Sequence, residues 1–431
     1  MDKKMKDGFI STLRRELVPA LGCTEPIALA YAGAKAREIL GCMPEKLEIC
    51  CSGNIIKNVK GVTVPNSNGL CGVDVAAILG VVGGNAQREL EVLEDITAED
   101  IAKTKELLAT DFFTCTLQEN VANLYIVATA KAGNEEASVK IVNRHTLVTE
   151  IVKNGEVIFR ENPVDEASEV TDWSLWSIKN ILDFAKEVDL SEIEEVISRQ
   201  IEMNSAISEA GLANDYGAQV GRTLLAVYGD DVKVRARAKA AAGSDARMNG
   251  CSLPVVINSG SGNQGMTVSV PVIEYAKELK VGTEGLYRSL VVSNLVSIYH
   301  KHYIGSLSAF CGAVTAACGC GAAITYMSGG TYEQICHTII NVVANVGGIV
   351  CDGAKSSCAA KIASSVDAAI LAHHLSMKGL AFKAGEGIVQ SNIEDTIKSI
   401  GYIGRVGMKN TDIEILNIMI DNERTLSWKK R

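Results

Sequence analysis

The chain has 431 residues, of which 47% are hydrophobic and 22% are charged, and its formal net charge is −9. This length and composition indicate a globular protein of two or three domains, and they exclude a disordered chain and a coiled coil. The negative charge argues against nucleic acid as a partner. Thirteen cysteines and the lack of a secretory signal segment predict a protein of the reducing cytoplasm, where thiols bind metal or catalyse.

The first part of the chain, residues 1–168, predicts an α+β domain. Residues 26–40 have the apolar spacing of an amphipathic helix that ends at Gly41. Residues 97–110 predict a second helix, with Thr97 as its N-cap and an acidic residue three positions later that nearly completes a capping box.

Strand signals surround these helices. Short apolar stretches at 47–51 and 61–64 predict two strands. The clearest β pattern lies at 123–159, where three or four segments in sequence predict an antiparallel sheet. Asn154-Gly155 is the hairpin signal within that pattern.

A polar segment at 161–170 predicts a linker to a mostly α-helical domain, residues 169–431. Apolar residues recur with helical spacing at 173–188 and 190–208. No charged residue occurs from Tyr303 to Tyr332, but small residues dominate this stretch, so we expect a buried helix rather than a membrane span. The abundance of Gly and Ala predicts helices whose backbones pack closely.

Residues 260–265 spell GxGxxG, the glycine pattern of a dinucleotide-binding loop. That fingerprint requires a helix directly afterwards, within a βαβ unit. The next residues, 266–271, are rich in β-branched side chains and end in proline, which predicts a strand. We therefore expect no NAD.

Three cysteines, Cys311, Cys351 and Cys358, are the candidate metal ligands. Residues 352–357 contain a glycine and N-cap formers, which predict a loop before a helix that begins near Cys358. A cysteine at a helix N-terminus is favoured as a thiolate, so these thiols could turn towards one ion or cluster. Two alternatives remain open: all three are inert buried thiols, or the C-x-C pair Cys318 and Cys320 supplies ligands.

A fourth thiol, Cys23, precedes the predicted helix at 26–40. Thr24 is a good N-cap, and Glu25-Pro26 suits a first helical turn. The position of Cys23 just before that N-terminus predicts a lowered thiol pKa and a reactive cysteine. The alternative is a core cysteine beside a capped helix.

An amino-acid substrate would need its carboxylate and amine held by polar side chains. Arg247 could form a bidentate clamp on the carboxylate, although a salt bridge with Asp245 is the competing interpretation. The remaining candidate substrate-binding residues lie in two polar loops: Ser52, Asn54, Lys57, Asn58, Asn258 and Ser259.

The segments ALGCTEPIALA, CSGNIIKNVKG, SDARMNG, NSGSGNQG, SAFCGAVTAACGCGAAI and CDGAKSSCAAK together resemble the L-cysteine desulfidase family. That family is related to the α-type catalytic domain of iron–sulfur-dependent L-serine dehydratases, and the resemblance runs from about residue 16 to residue 408. It implies a [4Fe–4S] cluster used as a Lewis acid and held by Cys311, Cys351 and Cys358. It also implies a functional role for Cys23, while the additional Cys71, Cys318 and Cys320 leave the ligand set open.

The resemblance predicts a lyase that releases sulfide from L-cysteine and gives pyruvate and ammonia. Cys23 would act as the base or as a labile fourth ligand, and Lys301, His302 and His300 are candidate proton carriers. No lysine has a convincing Schiff-base context, so we expect no PLP. The alternatives are an L-serine dehydratase and a non-catalytic iron–sulfur or metal redox sensor; for assembly we consider a homodimer.

Overall fold

The computed structural model describes residues 2–162, 171–305 and 307–419. It shows an α+β protein in which a region with a mixed sheet is followed by a mostly helical region, as the sequence predicts. The predicted linker at 161–170 lies almost entirely outside the described residues. The division into domains at residue 168 stays a prediction.

The sheet region holds five helices and most of the strands. The helices are α1 (Lys3–Glu16), α2 (Thr24–Leu40), α3 (Gly53–Val59), α4 (Val73–Gly83) and α5 (Ala98–Leu108). The strands are β1 (Pro19–Leu21), β2 (Lys46–Cys51), β3 (Phe113–Leu117), β4 (Tyr125–Ala132), β5 (Glu135–Val142), β6 (Val148–Lys153) and β7 (Glu156–Arg160).

Six of these strands form one sheet in the order β3-β2-β4-β5-β6-β7. All neighbours are antiparallel except β2 and β3, which run parallel, so the sheet is mixed rather than wholly antiparallel. The helix α2 covers the buried face, whose residues form one of the two main hydrophobic cores. The predicted hairpin is confirmed: Asn154 and Gly155, both with positive φ, join β6 to β7.

The helical region begins after the undescribed segment 163–170. Its helices are α6 (Ile178–Glu187), α7 (Glu194–Ala213), α8 (Val220–Tyr228), α9 (Val232–Met248), α10 (Gly262–Leu279), α11 (Gly282–Ile304), α12 (Gly312–Met327), α13 (Tyr332–Val346), α14 (Cys358–Met377), α15 (Ile393–Tyr402) and α16 (Lys409–Met419). One further strand, β8 (Pro254–Val256), pairs antiparallel with β1.

The helix α12 is central, and it packs against α10, α11, α13 and α14. Close backbone packing is confirmed at two glycines. A Cβ on Gly319 would overlap the backbone oxygen of Ser293, and a Cβ on Gly211 would overlap that of Ala242. None of the described helices is both long and apolar enough to cross a membrane.

Each end of the described chain packs against the region to which it does not belong in sequence: the first helix against the helical region and the last helix against the sheet region. Phe9 and Leu13 of α1 belong to the core of the helical region rather than to that of the sheet. Conversely, α16 packs against α3, where Leu416 lies over Gly53. These crossings join the two regions on either side of the candidate site.

Among the other local predictions, the following three were confirmed and two were wrong. Thr97 caps α5 in a complete capping box, Gly41 ends α2 with a φ of 89°, and Tyr303–Tyr332 contains the buried helix α12. The segment 61–64 is not a strand, because only one isolated bridge, at Thr63, forms there. Residues 266–271 lie inside α10, since the buried face and the N-cap Ser261 outweigh the β-branched side chains and a proline.

Candidate functional site

A cavity of about 300 Å³ lies between the sheet region and the helical region. The thiols of Cys23, Cys311, Cys351 and Cys358 all line it. The other predicted site residues that line it are Asn58, Arg247, Ser259, Lys301 and His302. Residues that lie far apart in sequence therefore meet around one space.

Four predicted substrate-binding residues lie outside the cavity lining: Ser52, Asn54, Lys57 and Asn258. The Ser52 hydroxyl donates to the backbone oxygen of Asn123 at 2.6 Å, and the Asn258 amide donates to Asn294 Oδ1 at 3.0 Å. Asn54 lies in the first turn of α3.

Lys57 faces away from the cavity and connects three parts of the chain. Its ammonium forms an ion pair with Asp412 of α16 and donates to the backbone oxygen of Cys351 at 3.5 Å. A Cβ on Gly353 would overlap the Lys57 backbone oxygen, so the loop at 351–353 lies directly on α3. The Lys57 side chain therefore binds the backbone of the candidate metal ligand Cys351 and is not positioned to bind substrate.

Backbone pairing brings Cys311 and Cys351 together. Phe310 and Val350 form an isolated antiparallel bridge, in which Cys311 N donates to Ile349 O at 3.0 Å and Cys351 N donates to Ala309 O at 2.7 Å. Cys358 is the first residue of α14, as predicted, and Cys311 is the N-cap of α12.

Four helix N-termini point into the same cavity. Cys23 precedes α2, Ser261 precedes α10, Cys311 precedes α12 and Cys358 begins α14. Unpaired N–H groups and the helix dipole favour negative charge at each of these ends. The arrangement suits thiolates and a carboxylate ligand.

The expected lowering of thiol pKa values at these helix starts was wrong. Burial is the largest effect, and it raises the pKa of Cys23, Cys311 and Cys358. Neighbouring groups raise the pKa further: the Glu25 carboxylate acts on Cys23, and electrostatic interaction with the nearby Cys351 acts on Cys311 and Cys358. In the protein alone, these thiols hold their protons because the loss of solvent outweighs the helix dipole.

Cys311, Cys351 and Cys358 are a donor set of the kind that an iron–sulfur cluster uses, with one thiolate at each iron. Within the described ranges, no three Cys, His, Asp or Glu side chains converge closely enough to hold one ion. A four-iron cluster takes a separate thiolate at each iron, so its ligands need not meet at a point. Cys311, Cys351 and Cys358 supply three such thiols around the cavity, whereas Cys318 and Cys320 are buried in α12 away from it.

Glu25, which the sequence analysis treated only as a helix-start residue, lies beside Cys23 in the cavity. Its Oε2 accepts a hydrogen bond from Cys23 Sγ at 3.4 Å, and its Oε1 accepts from Asn58 Nδ2 at 2.9 Å. Burial alone would raise the pKa of Glu25, but electrostatic interaction with His145 and Arg247, together with hydrogen bonds from the backbone and from Cys23, holds that pKa below its usual value. A carboxylate therefore faces a neutral thiol.

Arg247 is buried, with 2% of its surface exposed, and it lines the cavity from α9. Its Nε has no hydrogen-bond partner among the described residues. Asp245, considered as its ion-pair partner, instead accepts from the backbone N–H of Gly221 at 3.0 Å. Because this guanidinium lines the cavity, it can take a carboxylate ligand there.

Two glycines, Gly260 in the loop before α10 and Gly262 at its first position, make room for the charged groups of the cavity. A Cβ on Gly262 would overlap Arg247 Nε, and a Cβ on Gly260 would lie 3.2 Å from His145 Cε1. The Thr24 hydroxyl donates to Gly260 O at 2.9 Å, which ties this loop to the start of α2. The GxGxxG pattern thus shapes the wall of this cavity.

His145 was missed by sequence analysis because it lies in a β-turn region without a motif.

Among the predicted proton carriers, His302 stacks on Trp173 with ring centroids 3.8 Å apart. Burial and the charge of Arg405 lower the pKa of His302 to about 4, so its ring is neutral at neutral pH. His300 is buried outside the cavity lining.

Comparison with known proteins places the whole chain among relatives. The serine dehydratase alpha chain family matches residues 87–417. A UPF0597 protein of Lachnoclostridium phytofermentans is 55% identical over 98% of this chain and 100% of its own length. UPF0597 proteins of Desulfitobacterium hafniense and Treponema denticola are 51% and 48% identical, over 96% and 97% of this chain and 96% and 99% of theirs.

Proposed function

This chain belongs to the serine dehydratase alpha chain family, and we propose that it is a lyase of that type which converts L-cysteine to pyruvate, ammonia and hydrogen sulfide. One observation carries the proposal: four thiols, a buried guanidinium and a buried carboxylate line a single cavity. Such a site can bind a small zwitterion, remove a proton and assist a leaving group.

Arg247 binds the substrate carboxylate in this proposal. Its guanidinium lines the cavity, and its burial makes a charge-assisted hydrogen bond stronger than one at the surface. The N-terminus of α10, which starts next to the guanidinium, adds a second source of positive potential. Together these groups fix the orientation of Cα.

Cys23 and Glu25 remove the Cα proton. In one concerted step, the neutral Cys23 thiol passes its proton to the Glu25 carboxylate as Cys23 Sγ receives the proton from Cα, so no free thiolate has to form first. Asn58 holds the other carboxylate oxygen in place, so the acceptor stays aimed at the thiol. Lys301 and His302 line the same cavity and are candidates to carry protons to the departing groups.

Cys311, Cys351 and Cys358 would hold a [4Fe–4S] cluster. Held by these three thiolates, such a cluster would supply Lewis-acid chemistry to the leaving atom of the substrate. The helix N-termini behind Cys311 and Cys358 stabilise negative charge on these ligands.

The second candidate substrate is L-serine, and the family match itself favours it. The same residues would bind its carboxylate and remove its Cα proton, and a hydroxyl would leave instead of a thiol. A soft sulfur atom suits iron better than a hydroxyl does. This is why we propose L-cysteine first.

The test is to purify the protein without oxygen and measure iron and acid-labile sulfide per chain. L-Cysteine and L-serine are then supplied in turn while pyruvate and sulfide are followed. About four irons per chain, with faster turnover of L-cysteine, would support the proposal. Faster turnover of L-serine would make L-serine the substrate instead of L-cysteine. Iron-free protein that stays inactive after anaerobic reconstitution would overturn the proposal of a lyase.

Two cysteine variants distinguish a cluster ligand, Cys351, from a cysteine of the hydrophobic core, Cys318. Cys351→Ala is expected to lose iron and activity together. Cys318→Ala removes a thiol that is buried in α12, outside the cavity, and is expected to keep both. Equal loss of iron in the two variants would contradict the assignment of Cys351.

A further inference from the structure

A pair of thiols outside the candidate site lies at the edge of the mixed sheet that β3 forms. Cys51 is the last residue of β2, and Cys115 lies in the middle of the parallel strand β3. Their Sγ atoms are 4.0 Å apart. Ile49 is the register partner of Cys115, so Cys51 and Cys115 project from the same face of the sheet.

The two thiols differ in access to solvent. Cys115 is exposed on the edge strand, whereas Cys51 is fully buried. Contact with the Cys51 thiol lowers the pKa of Cys115, and the same contact together with burial raises the pKa of Cys51. An exposed thiol with enhanced thiolate character beside a buried partner is the usual arrangement of an attacking and a resolving cysteine.

We propose that Cys115 and Cys51 form a thiol–disulfide exchange site for low-molecular-weight disulfides, such as cystine or glutathione disulfide. The site is separate from the cavity lined by Cys23 and the candidate cluster ligands. The proposal therefore does not depend on the lyase function.

The reaction has two steps. The Cys115 thiolate attacks one sulfur of the small disulfide, whose S–S bond breaks and releases one small thiolate that takes up a proton. Cys51 then loses its proton and attacks Cys115 Sγ, which releases the second small thiol. Two protein thiols are oxidised to one disulfide, and the small disulfide is reduced to two thiols.

Closing the bond requires the Sγ atoms to move from 4.0 Å to about 2.05 Å. The strand β3 can supply this movement because it is an edge strand, paired with β2 alone in its sheet. The bond would tighten the end of β2 immediately before Ser52, which precedes α3.

The test is anaerobic incubation of the full chain with glutathione disulfide, followed by acid quenching, alkylation and peptide mapping without reductant. We expect the loss of two free thiols per chain and a reducible link between the peptides of Cys51 and Cys115. Because Cys50 and Cys51 share a peptide, Cys50→Ser is the matched control and must keep the link. Cys51→Ala should stop at a mixed disulfide on Cys115.

Two results would overturn the site. In one, wild-type protein ends with a mixed disulfide on Cys115 while Cys51 remains alkylatable after unfolding. In the other, Cys115 reacts no faster than Cys42, which is also exposed. If Cys51→Ala does not fold, Cys115→Ser keeps the test valid because it changes an exposed residue. In Cys115→Ser, glutathione disulfide should leave Cys51 unmodified.

Discussion

The Cys23 thiol donates a hydrogen bond to the Glu25 carboxylate, with 3.4 Å between Sγ and Oε2. The start of α2 creates this pairing, because Cys23 is its N-cap and Glu25 lies two residues later in the first turn. At this helix N-terminus the negative charge lies on the Glu25 carboxylate rather than on the Cys23 sulfur. The reason is that Glu25 also accepts a hydrogen bond from the Asn58 amide and interacts electrostatically with Arg247. The pair is thus an acid and its acceptor rather than a free thiolate.

Replacing Glu25 with glutamine tests this relationship. Glu25→Gln keeps a side-chain oxygen for Asn58 but removes the charge that accepts the Cys23 proton. Turnover by the reconstituted enzyme should fall by about 10²–10⁴, the usual contribution of a positioned base. The matched control is Glu99→Gln, at the corresponding first-turn position of α5 but exposed, which should leave turnover unchanged.

Adding one methyl group at Gly262 should weaken substrate binding. The Cβ of Gly262→Ala would overlap Arg247 Nε, so the guanidinium must move away from its present position. We expect KM to rise about tenfold, equivalent to about 1.4 kcal/mol, while kcat changes less. Gly8→Ala, in α1 with open space around its Cβ, is the control. An unchanged KM for Gly262→Ala would contradict the role of Arg247.

The fold class could be predicted from the sequence because its signals are local. The Asn154-Gly155 turn and the Thr97 cap each depend on a few adjacent residues. The parallel pairing of β2 with β3 could not be predicted, since the two strands are separated by about sixty residues of chain. The β-branched residues and the proline wrongly predicted a strand at 266–271, where burial on all sides removes the amphipathic pattern that would have indicated a helix.

The site could be predicted in part for the same reason. Cys23 and Arg247 stand in distinctive motifs, and both line the cavity. Lys57 stands in a motif as well, but a residue's neighbours in sequence do not reveal whether its side chain faces ligand or, as here, Asp412 on a distant helix. His145 reaches the cavity from the end of a β-hairpin, and nothing in its local sequence indicates that.

The ion pair between Lys57 and Asp412 should contribute to stability. The Lys57 side chain is 1% exposed and that of Asp412 is 14% exposed, so Asp412→Ala would leave a buried ammonium without its carboxylate. The free energy of unfolding should fall by about 3 kcal/mol. Urea unfolding measures this, and Lys57→Met combined with Asp412→Leu should recover part of the loss.

The control for that measurement is the exposed pair of Lys103 and Glu106, in which both side chains are more than half exposed. Glu106→Ala should change stability far less, since surface ion pairs contribute little. If Asp412→Ala costs no more than Glu106→Ala, the contact between α3 and α16 does not depend on the ion pair.

The buried ring of His300 predicts a specific loss of stability in acid. Burial lowers the pKa of His300 to about 3, and neither ring nitrogen has a hydrogen-bond partner among the described residues. In the unfolded chain a histidine has a pKa of about 6.5. Between these values the unfolded state binds the extra proton, so a falling pH favours unfolding by up to about 1.4 kcal/mol per pH unit.

His300→Met removes this proton-binding difference. We therefore expect the free energy of unfolding to fall less steeply in His300→Met than in wild type when urea unfolding is repeated from pH 7 to pH 5. His337→Gln, on the half-exposed side of α13, serves as the histidine control. Parallel pH profiles for wild type and His300→Met would show that the unfolding equilibrium does not sense the buried ring, and that His300 gains its proton without unfolding the helices around it.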